Sequence, residues 1–384
     1  CVHRVFFSGC AAGEMTLDAI PTMGTRLRLL YVAYPLLPVS EQSAGGAEQV
    51  LWTLEREMHA RAHETTVAAC AGSQFAGNLF PTGDAASGLD ESEARSRQQT
   101  RVLIEWLNSS AESQFDLLHD MSGGFWQHAA RIRLPVLATL HLARSLYKDI
   151  DFARLPSNLL FTCVSQKQTL EFKDVADRVL GVVPNGIALD RFPPEPARRE
   201  EREYLLWLGR ICEEKGTHTA LDIAHAAGKK LIVGGAVYPF LYHQKYFARE
   251  VIPRLKRAGN MAKYVERPAF AEKIDLLCNA QALLITSNIN ETSSMVAMEA
   301  AACGTPVVAL GRGALPEVVA EGITGFVAQS TDEMISALRH IGDIDAKRCR
   351  RYAEENYSAQ RMADRYEGLY RRLFTSEKTQ TARH

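Results

Sequence analysis

The sequence predicts an α/β protein with two domains, each a doubly wound parallel sheet flanked by helices. Apolar runs of strand length alternate with helical stretches along the chain, which is the pattern of buried parallel sheets. A chain of 384 residues is too long for one ordinary hydrophobic core, so two domains of roughly 180 residues are expected. The segment 193–203 is proline-rich and charged, too polar to pack, and is predicted to be the linker.

The N-terminal residues 1–22 are expected to be upstream or disordered sequence. They open on Cys1, and the apolar stretch before Cys10 is short. A signal peptide needs about 7 to 15 apolar residues after a basic start. Met15 or Met23 is therefore the expected first residue of the protein, and residues 1–22 are left out of the fold prediction.

The first predicted domain covers residues 23–192. The apolar runs that build or close its sheet are residues 27–34, 65–70, 115–120, 135–141, 159–166 and 181–192. An amphipathic helix follows Gly45 and Gly46, with Val50, Leu51 and Leu54 on one face. The polar stretch 74–99 is expected to be a surface excursion, and a helix around residues 101–107 follows it.

The second predicted domain covers residues 204–357. Its apolar strand runs begin at Tyr204, Lys229, Lys263, Ala282 and Pro306. A short helix is predicted to begin near Ser294 and to stop at Gly304. The last helix carries an apolar stripe that needs a surface to cover, formed by Met362, Tyr366, Leu369, Tyr370 and Leu373.

Composition excludes several classes of protein. Lys and Arg total 44 against 45 Asp and Glu, so no global positive field recruits nucleic acid. No apolar run approaches the ~20 residues of a membrane span. The cysteines are scattered without paired spacing, and Cys70, Cys163, Cys278 and Cys303 have apolar neighbours. Buried thiols of a cytosolic protein are therefore expected.

Two carboxylates bracket the start of the short helix. Glu291 lies just outside its N-terminus, and Glu299 lies one to two turns inside, among Met, Val and Ala. An unpaired buried carboxylate is expensive, so Glu299 pairs with an unseen Arg, reaches the protein edge or binds a ligand. The helix N-terminus itself favours an anion. Because a carboxylate repels a phosphate placed on top of it, the two acids are better suited to hold hydroxyl groups on either side of a bound phosphate.

Two strand-to-helix turns carry glycines or cations. Gly45 and Gly46 let the backbone approach a phosphate or sugar closely, although a merely flexible turn has the same composition. Arg210 and Lys215 frame the turn after the first strand of the second domain, although surface cations are usually only solvated.

Three polar residues stand at the ends of predicted first-domain strands. His119 and Asp120 end one strand, and His141 ends the next. Ligands of doubly wound sheets bind at the carboxyl ends of strands. A lone histidine at such a position is more often structural than ligand-binding. The position alone is therefore compatible with either role.

The spacings Glu-x7-Glu and Gly-Arg-x4-Lys-Gly together resemble the retaining GT-B glycosyltransferases of the family 4 type, or glycosyl transferase group 1. The resemblance implies a GT-B fold, in which two Rossmann-like domains face each other across a cleft. It assigns Glu291 to the donor sugar and Glu299 to the ribose. Its catalytic residues are Arg210, Lys215, Glu291 and His141, and its donor-binding residues are Gly45, Gly46, Gly209, Gly216, Ser293, Ser294, Met295, Val296 and Glu299.

On the first domain, the resemblance implies that the Gly-Gly loop meets the donor diphosphate and the acceptor, with Ser43, Glu48 and Gln49 as neighbours. Asp120 and Asn185 are expected on the acceptor side, and the last helix, about 358–375, is expected to cross back onto this domain. One departure stands out. The family often has Pro, Phe and Gly after the first Glu, where this chain has Thr292, Ser293 and Ser294.

The resemblance implies a retaining, metal-independent glycosyltransferase that moves a hexose from a nucleotide diphosphate sugar, UDP-glucose or a relative, to an acceptor. No cofactor and no metal ion are expected, since no residue cluster has metal-ligand spacing. The expected partners are the donor and a small-molecule, glycan or lipid-linked acceptor, without nucleic acid. A cytoplasmic location with at most peripheral membrane contact is expected. A nucleotide-sugar epimerase of the same fold and a non-catalytic nucleotide-sugar-binding protein are the alternatives.

Two further motifs point to other chemistry and are set aside. Gly311-x-Gly313 follows a strand, but a dinucleotide fingerprint needs a third glycine where Pro316 stands, which disfavours an oxidoreductase. The Asp-x-Asp pairs that begin at Asp149 and Asp343 can hold a metal in other glycosyltransferases. Neither pair closes an apolar strand, so solvated acids are expected there.

Overall fold

The computed structural model describes residues 26–43, 45–86, 91–109, 111–147, 150–193, 195 and 202–381. Residues 1–22 and most of the predicted linker lie outside these ranges. The described strands form one sheet of 7 strands and one of 6, so the predicted α/β architecture with two parallel sheets is confirmed.

The first sheet has the order β3-β2-β1-β4-β5-β6-β7, and every neighbouring pair is parallel. Its strands are β1 (Arg28–Val32), β2 (Glu64–Ala69), β3 (Asn78–Pro81), β4 (Leu117–Asp120), β5 (Val136–Leu140), β6 (Leu159–Cys163) and β7 (Val179–Val182). The strand order reverses between β1 and β4, which places a crevice at their carboxyl ends.

The second sheet has the order β10-β9-β8-β11-β12-β13, again with parallel pairs throughout. Its strands are β8 (Tyr204–Leu208), β9 (Leu231–Gly235), β10 (Ala262–Glu266), β11 (Ala280–Ile285), β12 (Val307–Leu310) and β13 (Gly325–Ala328). Here the order reverses between β8 and β11, so the loops that follow these two strands border the second crevice.

Helices cover both faces of the sheets. They are α1 (Gly46–Ala60), α2 (Ser92–Asn108), α3 (Gln166–Thr169), α4 (Thr217–Ala226), α5 (Leu241–Tyr246), α6 (Ile252–Ala258), α7 (Phe270–Cys278), α8 (Met295–Ala302), α9 (Leu315–Val318), α10 (Thr331–Ala337), α11 (Ala346–Asn356) and α12 (Ala359–Thr381). A π-helical turn, Phe247–Val251, joins α5 to α6. Among the described residues, no helix has both the length and the apolar character that a bilayer span requires.

The last helix packs on the first sheet rather than on the second. The stripe on α12 lies in one core cluster with Leu29 and Tyr31 of β1 and Leu54 of α1. A buried polar network fixes this contact, since His119 bonds the hydroxyl of Tyr370 through Nδ1 and that of Thr139 through Nε2, each at 2.7 Å. Burial lowers the pKa of His119 to about 3, so the ring is neutral. His119 therefore anchors α12 to the sheet.

The prediction for the polar stretch 74–99 was wrong in two respects. It contains the strand β3, and α2 begins inside it at Ser92. β3 is an edge strand that ends in Pro81, a residue that edge strands tolerate because one side of the ladder is unpaired. Its pattern of half-buried and exposed residues lacks the apolar run that marks the central strands, so composition alone indicated a loop.

The free thiols Cys70, Cys163 and Cys303 are buried, and Cys278 is half-buried. Their burial among apolar side chains agrees with the interpretation of these cysteines as packed thiols.

Candidate functional site

The two crevices face each other, and the loops at their rims touch. A methyl group placed on Gly46, at the start of α1, would lie 3.5 Å from Cγ of Met295, the first residue of α8. The Gly-Gly turn of the first domain therefore lies directly against the N-terminus of α8 in the second. A second bridge is the hydroxyl of Thr292, which donates to the carbonyl of His141 at 2.8 Å.

The loop between β8 and α4 carries Arg210 and Lys215 and depends on a glycine. Gly216 has φ +67, in the left-handed region that favours glycine. A methyl group at this position would overlap the carbonyl oxygen of Thr286, at the end of β11. The close approach of the two loops places Lys215 beside Glu291.

Lys215 and Glu291 form an ion pair at the mouth of the second crevice. Nζ of Lys215 lies 2.6 Å from Oε1 and 2.8 Å from Oε2 of Glu291, and the hydroxyl of Ser287 also donates to Oε1. Their side chains keep 26% and 12% of their surface exposed, so both remain accessible to a ligand.

Arg210 stands in a more open position. Its side chain is exposed, with the guanidinium carbon 5.8 Å from the centre of the Tyr238 ring. Within the described ranges, Arg210 has no carboxylate within ion-pair distance. This guanidinium is therefore free of an ion-pair partner there that would compete with a bound anion.

The N-terminus of α8 offers unsatisfied donors between the two acids. Ser294 is the N-cap residue, and no side chain caps the first turn. The buried hydroxyl of Ser293 has no hydrogen-bond partner among the described residues. Met295 and Val296 supply the first backbone N–H groups of the helix, which have no partner within it. Together with the helix dipole, these donors favour an anion at this point.

Glu299 is buried and paired with a residue that the sequence analysis missed. Its side chain keeps 4% of its surface exposed, and its Oε1 lies 2.6 Å from Nζ of Lys273 on α7. Lys273 also lies 4.8 Å from the centre of the Phe270 ring. The expectation that a buried carboxylate is paired holds, with a lysine in place of the arginine. The pair leaves the other carboxylate oxygen for a ligand.

A cavity of about 10 Å³ lies between the domains beside this pair. Its lining includes Gln49, Arg191, Phe270, Met295 and Glu299. The guanidinium of Arg191 stacks 3.6 Å from the centre of the Phe270 ring, and burial lowers its pKa while Glu299 opposes that shift. At this point the facing side chains of the two domains leave room for about one water molecule.

The predicted site residues of the first domain differ in whether their polar side-chain atoms already have hydrogen-bond partners. His141 has a buried Nε2 without a partner among the described residues, and burial lowers the pKa of its ring to about 4. Asn185 likewise keeps a buried Oδ1 without a partner there. Asp120 has both oxygens occupied, since they accept from the backbone N–H groups of Ser122 and Trp126 at 2.8 and 2.7 Å. Burial raises the pKa of Asp120 to about 6. His141 and Asn185 thus each keep one unpaired polar atom, whereas both carboxylate oxygens of Asp120 hold its own loop.

The carboxylate of Glu48 lies in the first turn of α1, close to Gly45. Burial raises its pKa. The loop before this turn is held by Gln49, whose side-chain amide donates to the carbonyl of Ser43 at 2.8 Å. Glu48 and Gln49 therefore shape the turn that approaches α8.

The two motifs set aside by the sequence analysis have structural roles here. Gly313 pairs with the backbone of Glu291 as an isolated bridge, and the N–H of Ala314 donates to the carbonyl of Glu291 at 2.7 Å. Asp345 caps α11 by accepting from the N–H groups of Lys347 and Arg348. Asp149 lies outside the described residues.

The bridge to Gly313 predicts a large effect of Gly313→Ala. Gly313 has φ +59, and a methyl group there would overlap the backbone of Glu291. The substitution should lower the free energy of unfolding by about 3 kcal/mol or more, because it adds steric overlap to left-handed strain.

Gly322→Ala is the matched control, because Gly322 has φ +68 but nothing within 4 Å of the added methyl group. It should cost only about 1 to 2 kcal/mol. Urea denaturation of both variants measures the difference. Equal losses would mean that the Glu291 loop does not depend on this contact.

Two family models match the chain in separate regions. One, described as Glycosyltransferase Family 4, matches residues 44–191. The other, described as Glycosyl transferases group 1, matches residues 202–343. The first region contains the Gly-Gly turn and His141, and the second contains Arg210, Lys215 and both acids.

Proteins with known names also match part of this chain in sequence. The lipopolysaccharide 1,2-N-acetylglucosaminetransferase of Salmonella typhimurium is 25% identical over 217 residues, covering 51% of this chain and 57% of that protein. The chain spans about half the length of this and other curated relatives that it matches.

Two solved structures show the same fold over almost the whole chain. AviGT4, a glycosyltransferase involved in avilamycin A biosynthesis, has a TM-score of 0.68 at 24% identity, covering 91% of this chain and 98% of its own. The Anabaena protein Alr3699/HepE in complex with UDP-glucose has a TM-score of 0.69 at 18% identity, covering 90% and 99%.

Proposed function

This chain belongs to the glycosyltransferases of the group 1 and family 4 type, and we propose that it transfers a hexose from a nucleoside diphosphate sugar to an acceptor. The observation that carries the proposal is the meeting of three groups at one cleft. Arg210 and Lys215 bring positive charge, the α8 N-terminus brings free N–H donors, and Glu291 and Glu299 lie on either side.

Charge develops on the diphosphate as the bond between the anomeric carbon and the leaving oxygen breaks. Fixed donors aimed at that charge accelerate the reaction, and each is worth about 3 to 4 kcal/mol in the transition state. Arg210, Lys215 and the first N–H groups of α8 are the donors of this kind at the cleft. They supply positive charge from the protein itself, which supports transfer without a metal ion on the diphosphate.

The two acids have distinct roles in this proposal. Glu291 binds hydroxyl groups of the transferred sugar, and Lys215 and Ser287 hold its carboxylate in place. Glu299 binds the ribose from its buried position, oriented by Lys273. In this proposal the two domains close around the bound donor and exclude water from the reacting groups.

The proposed stereochemical course is retention, with the acceptor attacking the face from which the diphosphate departs. A double displacement needs a carboxylate nucleophile close to the anomeric carbon. Glu291 is already held by Lys215, and Asp120 by its own loop, which disfavours both as nucleophiles. UDP-glucose or a close relative is the proposed donor, because a protein of the same fold binds it.

The acceptor side is formed by the first domain. His141, whose carbonyl bonds Thr292 across the cleft, carries a neutral imidazole, and Asn185 carries an amide oxygen that has no partner among the described residues. Neutral polar groups bind hydroxyl groups of a sugar or polyol without the desolvation penalty of a charge. The acceptor is accordingly a hydroxyl-bearing small molecule, glycan or lipid-linked glycan.

A panel of nucleoside diphosphate sugars and acceptor hydroxyl compounds tests the function. Mass spectrometry should detect a glycosylated acceptor together with the free nucleoside diphosphate, and both should depend on the acceptor. An isomerised sugar formed without an acceptor would indicate an epimerase instead. Donor binding with no product in any combination would indicate a non-catalytic binding protein.

The same assay tests metal independence. Turnover with and without added Mg²⁺ or Mn²⁺ should agree within about twofold, because the protein's own cations stabilise the leaving group. A strict requirement for either ion would overturn this part of the proposal and leave the transfer itself intact.

A further inference from the structure

Three side chains of metal-ligating type lie close together where the loop that carries Arg210 and Lys215 meets α5. Cys212 and Glu214 lie on this loop, and His243 lies on α5. One ligand atom from each, a thiol sulfur, a carboxylate oxygen and an imidazole nitrogen, all lie within 4.8 Å of one another. The sequence analysis did not single out any of these residues, because His243 is distant in the chain from the other two.

Two of the three groups each keep one buried atom without a hydrogen-bond partner among the described residues. His243 keeps 1% of its surface exposed, and its Nδ1 has no partner among the described residues. Oε2 of Glu214 is also buried without one. Most buried polar atoms in proteins are satisfied, so two unsatisfied atoms within one cluster of metal-ligating side chains point to a bound ligand.

The histidine ring is held in place by aromatic neighbours. Its centre lies 4.3 Å from that of Tyr242, 5.3 Å from that of Phe240 and 6.1 Å from that of Tyr238. These rings fix the position of the imidazole, but they offer no acceptor or donor to Nδ1. The thiol of Cys212 lies 3.6 Å from the carbonyl of Arg210 and hydrogen-bonds the carboxylate of Glu214 within the cluster. These contacts hold the three ligand groups close together before any ion binds.

The donor set selects the class of ion. Thiolate, imidazole and carboxylate are the ligands of Zn²⁺, which binds four donors in a tetrahedron. Mg²⁺ and Ca²⁺ prefer six or more oxygen ligands, which this cluster does not supply. We propose that Cys212, Glu214 and His243 bind one zinc ion, with water as the fourth ligand.

Zinc at this position ties the loop after β8 to α5. Cys212 and Glu214 lie between Arg210 and Lys215 in the chain, so coordination fixes the middle of the segment that carries these two cations. It also neutralises Glu214, whose negative charge lies close enough to Arg210 to interact with it. The ion is a positioning element for the loop and makes no contact with the reacting groups. The site does not depend on the proposed transfer reaction.

Metal titration of the full chain tests the site. Metal-free protein is titrated with Zn²⁺ in competition with a chromophoric chelator, and separately with Co²⁺ followed by absorption. We expect one Zn²⁺ per chain, a rise in Tm on its addition, and a near-ultraviolet band from thiolate-to-cobalt charge transfer. Cys212→Ser should abolish the cobalt band, and His243→Gln should weaken zinc binding at least about tenfold.

Cys349→Ser is the matched control. Cys349 is a buried thiol in the core cluster on the other face of the second sheet, and its replacement should leave zinc affinity and the cobalt band unchanged. Absence of the thiolate band in the unmodified protein would overturn the proposal, as would equal zinc affinity in His243→Gln. If Cys212→Ser does not fold, these two measurements still decide the outcome.

Discussion

Lys215→Ala should lower kcat of the proposed transfer by about 100-fold or more, with a smaller change in KM. The ammonium group stabilises charge that develops on the leaving diphosphate, so its loss is felt mainly in the transition state. The structure adds a second reason, since Lys215 lies 2.6 Å from Glu291. Its removal also frees the carboxylate that is proposed to orient the sugar. Steady-state kinetics with the identified donor and acceptor measure both effects.

Lys229→Ala is the matched control for this variant. Lys229 lies just before β9, at the end of the strands opposite the cleft, and donates to Oε1 of Gln281 at 3.2 Å. It should retain activity within about twofold, since it contacts none of the reacting groups. Activity of Lys215→Ala within about threefold of the unmodified protein would remove the ammonium group from the mechanism.

Arg210 differs from Lys215 in its surroundings. A variant that lacks Arg210 therefore separates the stabilisation of charge on the diphosphate from the orientation of Glu291. It forms no ion pair with Glu291, so its removal leaves the Lys215–Glu291 pair in place. A kcat loss shared by both variants therefore measures the contribution of positive charge. A loss confined to Lys215 measures the orientation of Glu291.

Much of the fold followed from local sequence pattern. Central strands such as β5 and β11 are nearly continuous apolar runs, and this pattern depends only on burial on both faces. The α8 helix was predicted to begin near Ser294 and begins at Met295, because cap residues and the terminating Gly304 act locally. Edge strand β3 carries no such pattern, since half of its environment is solvent.

The missed site residues share a different property. Lys273 and Arg191 reach Glu299 and Phe270 only after the chain has folded, from positions 26 and 79 residues away. Neither lies at the end of a strand, where ligand-binding residues of this fold are sought. Lys273 does lie three residues after Phe270 on α7, which places the two side chains on one helix face. That spacing was a sequence signal for the contact between Lys273 and the Phe270 ring. It gave no sign that Lys273 pairs with Glu299.

Changing Glu291 or Glu299 to glutamine should affect different steps, catalysis in the first case and nucleotide binding in the second. Glu291→Gln should lower kcat more than it raises KM, because contacts to the sugar tighten as the ring flattens in the transition state. Glu299→Gln should weaken binding of the nucleoside diphosphate alone by about 1 to 3 kcal/mol, since the ribose is remote from the breaking bond. Calorimetry with the sugar-free nucleoside diphosphate separates the two. Equal weakening by both variants would show that the assignment of sugar and ribose is wrong.

The ion pair at Glu299 requires one more variant, because Glu299→Gln also leaves the ammonium group of Lys273 without its partner. Lys273→Met breaks the same pair and keeps the carboxylate. It should lower Tm to a similar extent, because one member of a largely buried pair is left uncompensated in each case. It should lower affinity for the nucleoside diphosphate by less, since the ribose contact remains. If Lys273→Met weakens that binding as much as Glu299→Gln does, the affinity depends on the intact ion pair, and a direct contact between Glu299 and the ribose is excluded as its source.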